Sequence, residues 1–371
     1  MEFTVSKADL VRELGLSQGV VEKKATLPVL SNVLLEADDD RIIISATDLE
    51  LNIRCTAPAQ VKTPGGGTVP AKKLLDYVRL LPDADIHFRF SETHWASLTC
   101  GRSRTRIAGM PKEGYPEIPE MPEPVGRLPV ALMASMISRT IFAIAAEESR
   151  FTLNGALLLV KPQSLTMVAT DGHRLAMVEY PNPSGASGEQ RALIPRKAMM
   201  ELARLAGDCD EESAQIDFAT EDNHLFFRIG SRLLSSRKLT GNFPDYERVL
   251  PKSHPHIVTL DREEFRAAIE RVSQFSDERS RAVKIRFADN EATIHSSLSE
   301  SGESEETLAV DYGGPATEIG FNANYLLDFL RAVGEPRVHF HFKDPQSAGE
   351  LTPAGEELSY RYRYVVMPMR I

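Results

Sequence analysis

The feature that most constrains this 371-residue chain is a segment order that occurs three times. Each copy opens on a pattern that predicts an amphipathic helix: 7–21 (Leu10, Val11, Leu14), 129–145 (Leu132, Met136, Ile137) and 262–275 (Phe265, Ile269, Val272). Apolar residues at i, i+3 and i+4 give each helix one buried stripe. Two alternating, strand-like runs follow, the second being 41–48, 165–171 and 292–297 in the three copies. A second helical pattern comes next, at 69–81, 194–206 and 321–333, and then further alternating runs such as 87–90, 224–229 and 337–342. The markers keep one period. Ala-Thr-Asp stands at 46–48 and again at 169–171, 123 residues on, while Pro70 and Pro195, where helices begin, lie 125 apart; proline suits the first helical position. Pro-rich connectors at 110–126 and 242–256 cannot continue a strand ladder and separate the copies. The expected fold is α+β, three repeated domains at 1–122, 123–251 and 252–371, each two helices on an antiparallel sheet.

Six helices of ~10 Å width set side by side span ~60 Å of circumference and leave roughly 10 Å clear. Twelve leave roughly 30 Å, enough for a nucleic-acid duplex whose major groove alone is ~12 Å wide. Two chains closing a ring with helices lining the hole would therefore admit DNA, and one chain would form half of it. A formal net charge of −10 argues against a nucleic-acid binder unless charge is segregated. The helical segments carry Lys7, Arg12, Lys72, Lys73, Arg79, Arg139, Arg196, Lys197, Arg204, Arg262, Arg266, Arg271 and Arg331, whereas much of the acid falls in loops such as 38–40, 208–212 and 300–306. A basic inner wall would hold phosphates without reading bases. Closing a ring needs a joint. Arg102, Arg104 and Arg106 alternate late in the first copy, and Glu300, Glu303, Glu305 and Glu306 mark a strand region of the third. Opposite charge on the first and last domains favours head-to-tail contact between two copies of the chain, with Ile107 and Phe275 as apolar partners.

Other classes fare worse. No run approaches ~18 apolar residues, so no membrane span is expected; the N-terminus has no secretory pattern; and three scattered cysteines fit a reducing cytoplasm. No nucleotide-binding, hydrolase or metalloprotease motif occurs. Asp171 and His173 sit together on a turn, but Asp48 repeats Asp171 in a copy without histidine, which points to structure rather than catalysis. His339 and His341 alternate on a strand without an evident third metal ligand. No enzyme activity, metal or cofactor is expected.

Several segments in combination are specific: Thr26-Leu-Pro-Val-Leu-Ser-Asn32, Ala46-Thr-Asp-Leu-Glu50, Leu153-Asn-Gly155, Ala169-Thr-Asp-Gly-His-Arg-Leu-Ala176, Phe243-Pro-Asp-Tyr-Glu-Arg-Val-Leu-Pro251 and Tyr364-Val-Val-Met-Pro-Met-Arg-Ile371. Along essentially its whole length the chain resembles the bacterial DNA sliding clamps, the β subunits of DNA polymerase III. The resemblance implies a head-to-tail homodimeric ring that encircles duplex DNA without sequence preference, is loaded by an ATP-driven clamp loader and confers processivity on the replicative polymerase. It implies a cleft for short peptide motifs of polymerase, loader and other proteins at Leu153, Thr170, Gly172, His173, Arg174, Leu175, Pro244, Arg248, Val249, Val365, Met367, Pro368, Met369 and Arg370. It places DNA contacts at Lys24, Lys72, Arg150, Phe151, Arg196, Lys197, Asn322 and Tyr325.

Overall fold

A computed structural model describes the chain except residues 22–26, 147–150, 184–187, 210, 212, 299–301, 356 and 371, and the side chain of residue 151. Lys24, Arg150 and Glu300 thus lie outside the described residues, as does the Phe151 side chain. Six α-helices are present among the described residues: α1 Lys7–Ser17, α2 Ala71–Leu80, α3 Val130–Thr140, α4 Arg196–Gly207, α5 Arg262–Val272 and α6 Ala323–Ala332. They arise where the threefold pattern places them, two per copy, but shorter. The periodicity of 129–145 and 262–275 runs on because each helix tightens into a 3₁₀ turn, Ile141–Ala143 and Ser273–Phe275, which buries Ala143 in the first and Ser273 in the second.

The helix starts follow local chemistry. Ser6 and Asp261 accept from the backbone N–H three residues on, capping α1 and α5. Pro70, expected at the first helical position, instead ends the strand Gly65–Pro70 and stands as the cap residue of α2, one place earlier. In α2, Ala71, Leu74, Leu75 and Val78 are buried while Lys72, Lys73, Asp76 and Arg79 face water. Each buried Leu or Val contributes roughly 1.5–3 kcal/mol.

The chain divides into two compact units, Met1–Ala134 with Lys197–Lys238, and Ser135–Arg196 with Leu239–Ile371. In the first, a five-stranded antiparallel sheet runs in the order Gln60–Thr63, Glu2–Ser6, Asp85–Phe90, Trp95–Cys100, Ser103–Ala108. Its neighbour has eight strands and crosses from the first repeat into the second, where Leu51–Pro58 pairs with Arg232–Arg237 in the register Ile53↔Leu234. Helices α1 and α2 pack together in this unit. The second unit repeats the plan. An eight-stranded sheet joins the second repeat to the third where Arg174–Pro181 pairs with Arg361–Val366, Leu175 opposite Val365. A four-stranded sheet runs Gly302–Ala309, Glu291–Leu298, Ala282–Ala288, Thr317–Asn322, and α5 packs on α6.

Both units bury charge. Arg232 is held by Glu13 through two bonds of 2.9 and 2.6 Å and by Asp208 at 2.7 Å, and Arg12 shares the same Asp208 oxygen at 2.8 Å. In the second unit Arg363 and His254 share Glu350, whose side chain is only 5% exposed; the Arg363 guanidinium also donates to the Pro251 carbonyl at 2.9 Å. Burial disfavours the Glu350 carboxylate, but its bonds from Arg363 and His254 outweigh that and hold its pKa below the usual range. This cluster fastens the second connector to the sheet.

Candidate functional site

The Ala-Thr-Asp repeat forms the same turn twice. At 170–174 the Thr170 hydroxyl accepts from Gly172 N–H and donates to the Arg174 carbonyl, while one Asp171 oxygen accepts from the N–H groups of His173 and Arg174. Gly172 sits at φ +89°, a left-handed conformation that glycine adopts without steric cost. The turn projects beside strand Arg361–Val366 and faces the second connector, which winds into a 3₁₀ turn at Tyr246–Arg248.

A cavity of about 120 Å³ opens between these three elements. Leu153, Thr170, Gly172, His173, Arg174 and Leu175 form one side, Pro244, Tyr246 and Val249 the connector side, and Val365 and Met367 the third. Beneath it lies a core of Leu157, Val168, Leu175, Met177, Leu193, Phe243 and Val365. Val249 and Met367 leave 45% and 44% of their surface in water, unusual for large apolar side chains beside a preformed cavity. Met is soft and fits varied partners.

Arg174 is the polar element of the wall. Its Nε donates to Asp171 at 3.0 Å, Nη1 to Asp328 on α6 at 2.6 Å, and Nη2 to the Phe142 carbonyl. The guanidinium carbon lies over two rings, 4.3 Å from the Tyr325 centroid and 5.5 Å from that of Phe142. Burial opposes its charge, yet Tyr364, Asp328 and Asp171 more than compensate, so it is held protonated more firmly than a free arginine.

The structure brings ten of the fourteen expected cleft residues to this cavity. Arg248 instead points outward and pairs with Asp245 at 2.8 Å, and Pro368, Met369 and Arg370 are absent from its lining. Met369 is engaged elsewhere, its N–H donating to the Gly320 carbonyl at 2.8 Å. Tyr246 joins the lining unannounced; the signal available was its place between Pro244 and Val249 in the same connector.

The described residues expected to meet DNA each have a partner within the chain. Lys72 pairs with Asp76 one turn along α2, and Lys197 with Asp48. Arg196 donates to the Ile141 and Ile144 carbonyls, tying off the turn after α3. Asn322 caps α6, accepting from Asn324 N–H at 2.9 Å. Tyr325 stacks on Arg174, so its ring belongs beside the cavity.

At the expected joint, Ser103–Ala108 and Gly302–Ala309 are both edge strands of their sheets. Arg102, Arg104 and Arg106 are exposed at the first, with Arg106 4.8 Å over Trp95. Glu303 and Glu305 are exposed at the second, and Phe275 is half-buried. Ile107 is a correction. Only 3% exposed, it faces the sheet's own core because strand alternation turns it opposite to Arg104 and Arg106. His339 and His341 bond Thr259 and Thr352 at 3.0 and 2.9 Å, and among the described residues no group of three His, Cys, Asp or Glu side chains could hold a metal ion.

Three like α+β domains joined edge to edge through continuous sheets define the class: a clamp-type fold. Three models of the DNA polymerase III beta subunit match in succession, the N-terminal domain at residues 1–119, the central domain at 127–245 and the C-terminal domain at 247–370. A beta sliding clamp of Caulobacter vibrioides is 38% identical and one of Pseudomonas putida 37%, each over all of both chains. A crystal structure of the Pseudomonas aeruginosa sliding clamp bound to griselimycin superposes with a TM-score of 0.93 at 36% identity, again covering both chains fully. The chain belongs to the DNA polymerase III beta subunit family, the beta sliding clamps.

Proposed function

We propose that two copies of this chain close head to tail into a ring around duplex DNA, and that the cavity beside Arg174 receives short apolar peptide segments of the polymerase, the clamp loader and other replication proteins. The observation that carries the peptide reading is the apolar cavity itself. It is preformed, open to water, rimmed by the exposed side chains of Val249 and Met367, and built from three separate chain segments. Two residues hint at catalysis, Asp171 and His173, but the Asp171 carboxylate is spent on its own turn and on Arg174. A processivity factor without catalytic chemistry accords with that arrangement.

Two free sheet edges of opposite charge support the ring. An arginine-bearing edge on the first repeat and a glutamate-bearing edge on the third can extend one sheet across each joint. Two of the acids also have partners in their own chain: Arg271 holds Glu306 at 2.6 and 2.7 Å, and His295 lies 3.8 Å from Glu303. The exposed Lys72, Lys73 and Arg79 of α2 offer phosphate contacts without base readout, and salt should weaken them steeply.

Retention on DNA tests the ring. After loading onto nicked circular duplex the protein should stay bound through gel filtration, and linearising the DNA should release it. Equal retention on both forms would end the encirclement reading.

A further inference from the structure

We infer that the groove between the end of the second connector and the turn at 343–348 binds inorganic phosphate, at a site separate from the peptide cavity and independent of the ring.

A cavity of about 480 Å³ opens there, lined by Pro251, Lys252, Ser253, His254 and Pro255 on one side and by Lys343, Ser347 and Ala348 on the other. No carboxylate belongs to that lining. Neither lysine forms an ion pair among the described residues. Asp344 feels the charge of Lys343 beside it, but its oxygens are spent on the N–H groups of Gln346 and Ser347 and on the Ser347 hydroxyl. Two ammonium groups reaching in from separate segments are point charges, not the planar fork that fits a carboxylate. They suit a tetrahedral oxyanion.

His254 chooses among such oxyanions. Its side chain is only 8% exposed, and its Nε2 lies 2.9 Å from a Glu350 oxygen. Glu350 is held ionised, so it can only accept, and Nε2 carries the proton. Nδ1 is buried and has no partner. Buried polar atoms are seldom left so, and on a neutral ring this one is a lone pair that lacks a donor. Hydrogen phosphate brings an O–H for Nδ1, and its remaining oxygens accept from Lys252, Lys343 and the Ser253 hydroxyl. Sulfate has the same shape and charge but no proton to give.

Calorimetric titration of the full-length protein at pH 7, in about 0.05 M sodium chloride to limit screening, tests the site with inorganic phosphate and sulfate as probes. Phosphate should bind roughly fivefold or more tightly than sulfate, the difference being one hydrogen bond to a buried acceptor. Combining Lys252→Gln with Lys343→Gln should weaken phosphate by about tenfold or more. Both lysines are exposed, so the thermal midpoint without phosphate should not move, which verifies the fold of the variant. Lys112→Gln, at an exposed lysine of the other unit, should leave phosphate affinity as it was. In protein carrying nitrogen-15 histidine, phosphate should shift the His254 Nδ1 resonance and sulfate should leave it in place. Phosphate affinity that the double variant leaves unchanged, sulfate that binds as tightly as phosphate, or no binding of phosphate at all would each overturn the site, and none of these outcomes touches the peptide reading.

Discussion

The turn at 47–51 and the turn at 170–174 are one design used for two ends. In both, a threonine hydroxyl accepts from the N–H two residues on, at 2.9 Å for Leu49 and 3.1 Å for Gly172. In both, one aspartate oxygen accepts the next two N–H groups. The differences lie in what fills the frame. Leu49 stands at φ +77° where the second copy has glycine, and Leu51, buried at 2%, occupies the place of Arg174. Asp48 then pairs with Lys197, whereas Asp171 pairs with Arg174. The first turn is closed by an apolar plug; the second swaps the plug for an arginine that is held by two carboxylates and faces two rings. The backbone device is structural in both copies, and the site comes from two side-chain positions on it.

Making the second turn resemble the first is the harshest way to break that comparison. Arg174→Leu removes the cation and leaves Asp328 and Asp171, 30% and 15% exposed, without it. Stripping one partner from a largely buried pair costs about 2–4 kcal/mol, readable as a lowered denaturant midpoint, and peptide affinity should fall by more than tenfold. Stability equal to that of the unaltered chain would show that Arg174 is not the keystone described. The backbone swap is milder. Gly172→Leu should lower stability by roughly 1–2 kcal/mol, the penalty of a left-handed conformation for a side-chain-bearing residue. The reciprocal Leu49→Gly, at a leucine 46% exposed with little packing to lose, should raise it by about 0.5–1 kcal/mol. Chemical denaturation of both variants checks the pair, and like signs would refute it.

Much of this was legible in the sequence because it rests on local periodicity. The helical stripes, the Ala-Thr-Asp turn and the paired prolines each depend on residues a few places apart, so three copies could be aligned on them. What escaped depends on long-range pairing. Nothing in the spacing says that strand 51–58 meets 232–237, or 174–181 meets 361–366, since edge-to-edge joining is a matter of which strand ends a sheet. The cleft residues were reached through family resemblance rather than pattern, and Tyr246 and Asp328 escaped because one lies in a connector and the other on the back of a helix. Arg196 and Asn322 show the converse. The resemblance implied DNA contacts for both, and the structure also gives each a local duty at a helix or turn end, where backbone groups need partners.

An effect of similar, modest size separates the two units rather than the two turns. The first unit's buried ion cluster, Glu13 with Arg232, Asp208 and Arg12, contains no histidine, whereas in the second His254 and His341 lie 5.6 Å apart beside Glu350 and Arg363. Burial pushes the His341 pKa down to about 4 from 6.5; Glu350 pulls the other way, and His254, His339 and Arg363 add to the depression. Between those two pH values the unfolded chain takes up a proton that the folded chain refuses. Stability from His341 is therefore present in full above pH 6.5 and is lost progressively as pH falls toward 4. The full shift would amount to about 3 kcal/mol, but the ring keeps some contact with water, and between pH 7 and 5 about 1 kcal/mol is the reasonable size. Glutamine at 341 can still bond Thr352 and does not titrate, so His341→Gln should remove that part of the acid sensitivity. Hydrogen exchange of the strands at 337–342 and 51–58, followed at pH 7 and 5 with rates corrected for intrinsic exchange, locates it: protection should drop in the first strand, hold in the second, and hold in both for the variant. An equal drop in both strands would mean that the acid response belongs to the whole chain and not to the histidine cluster.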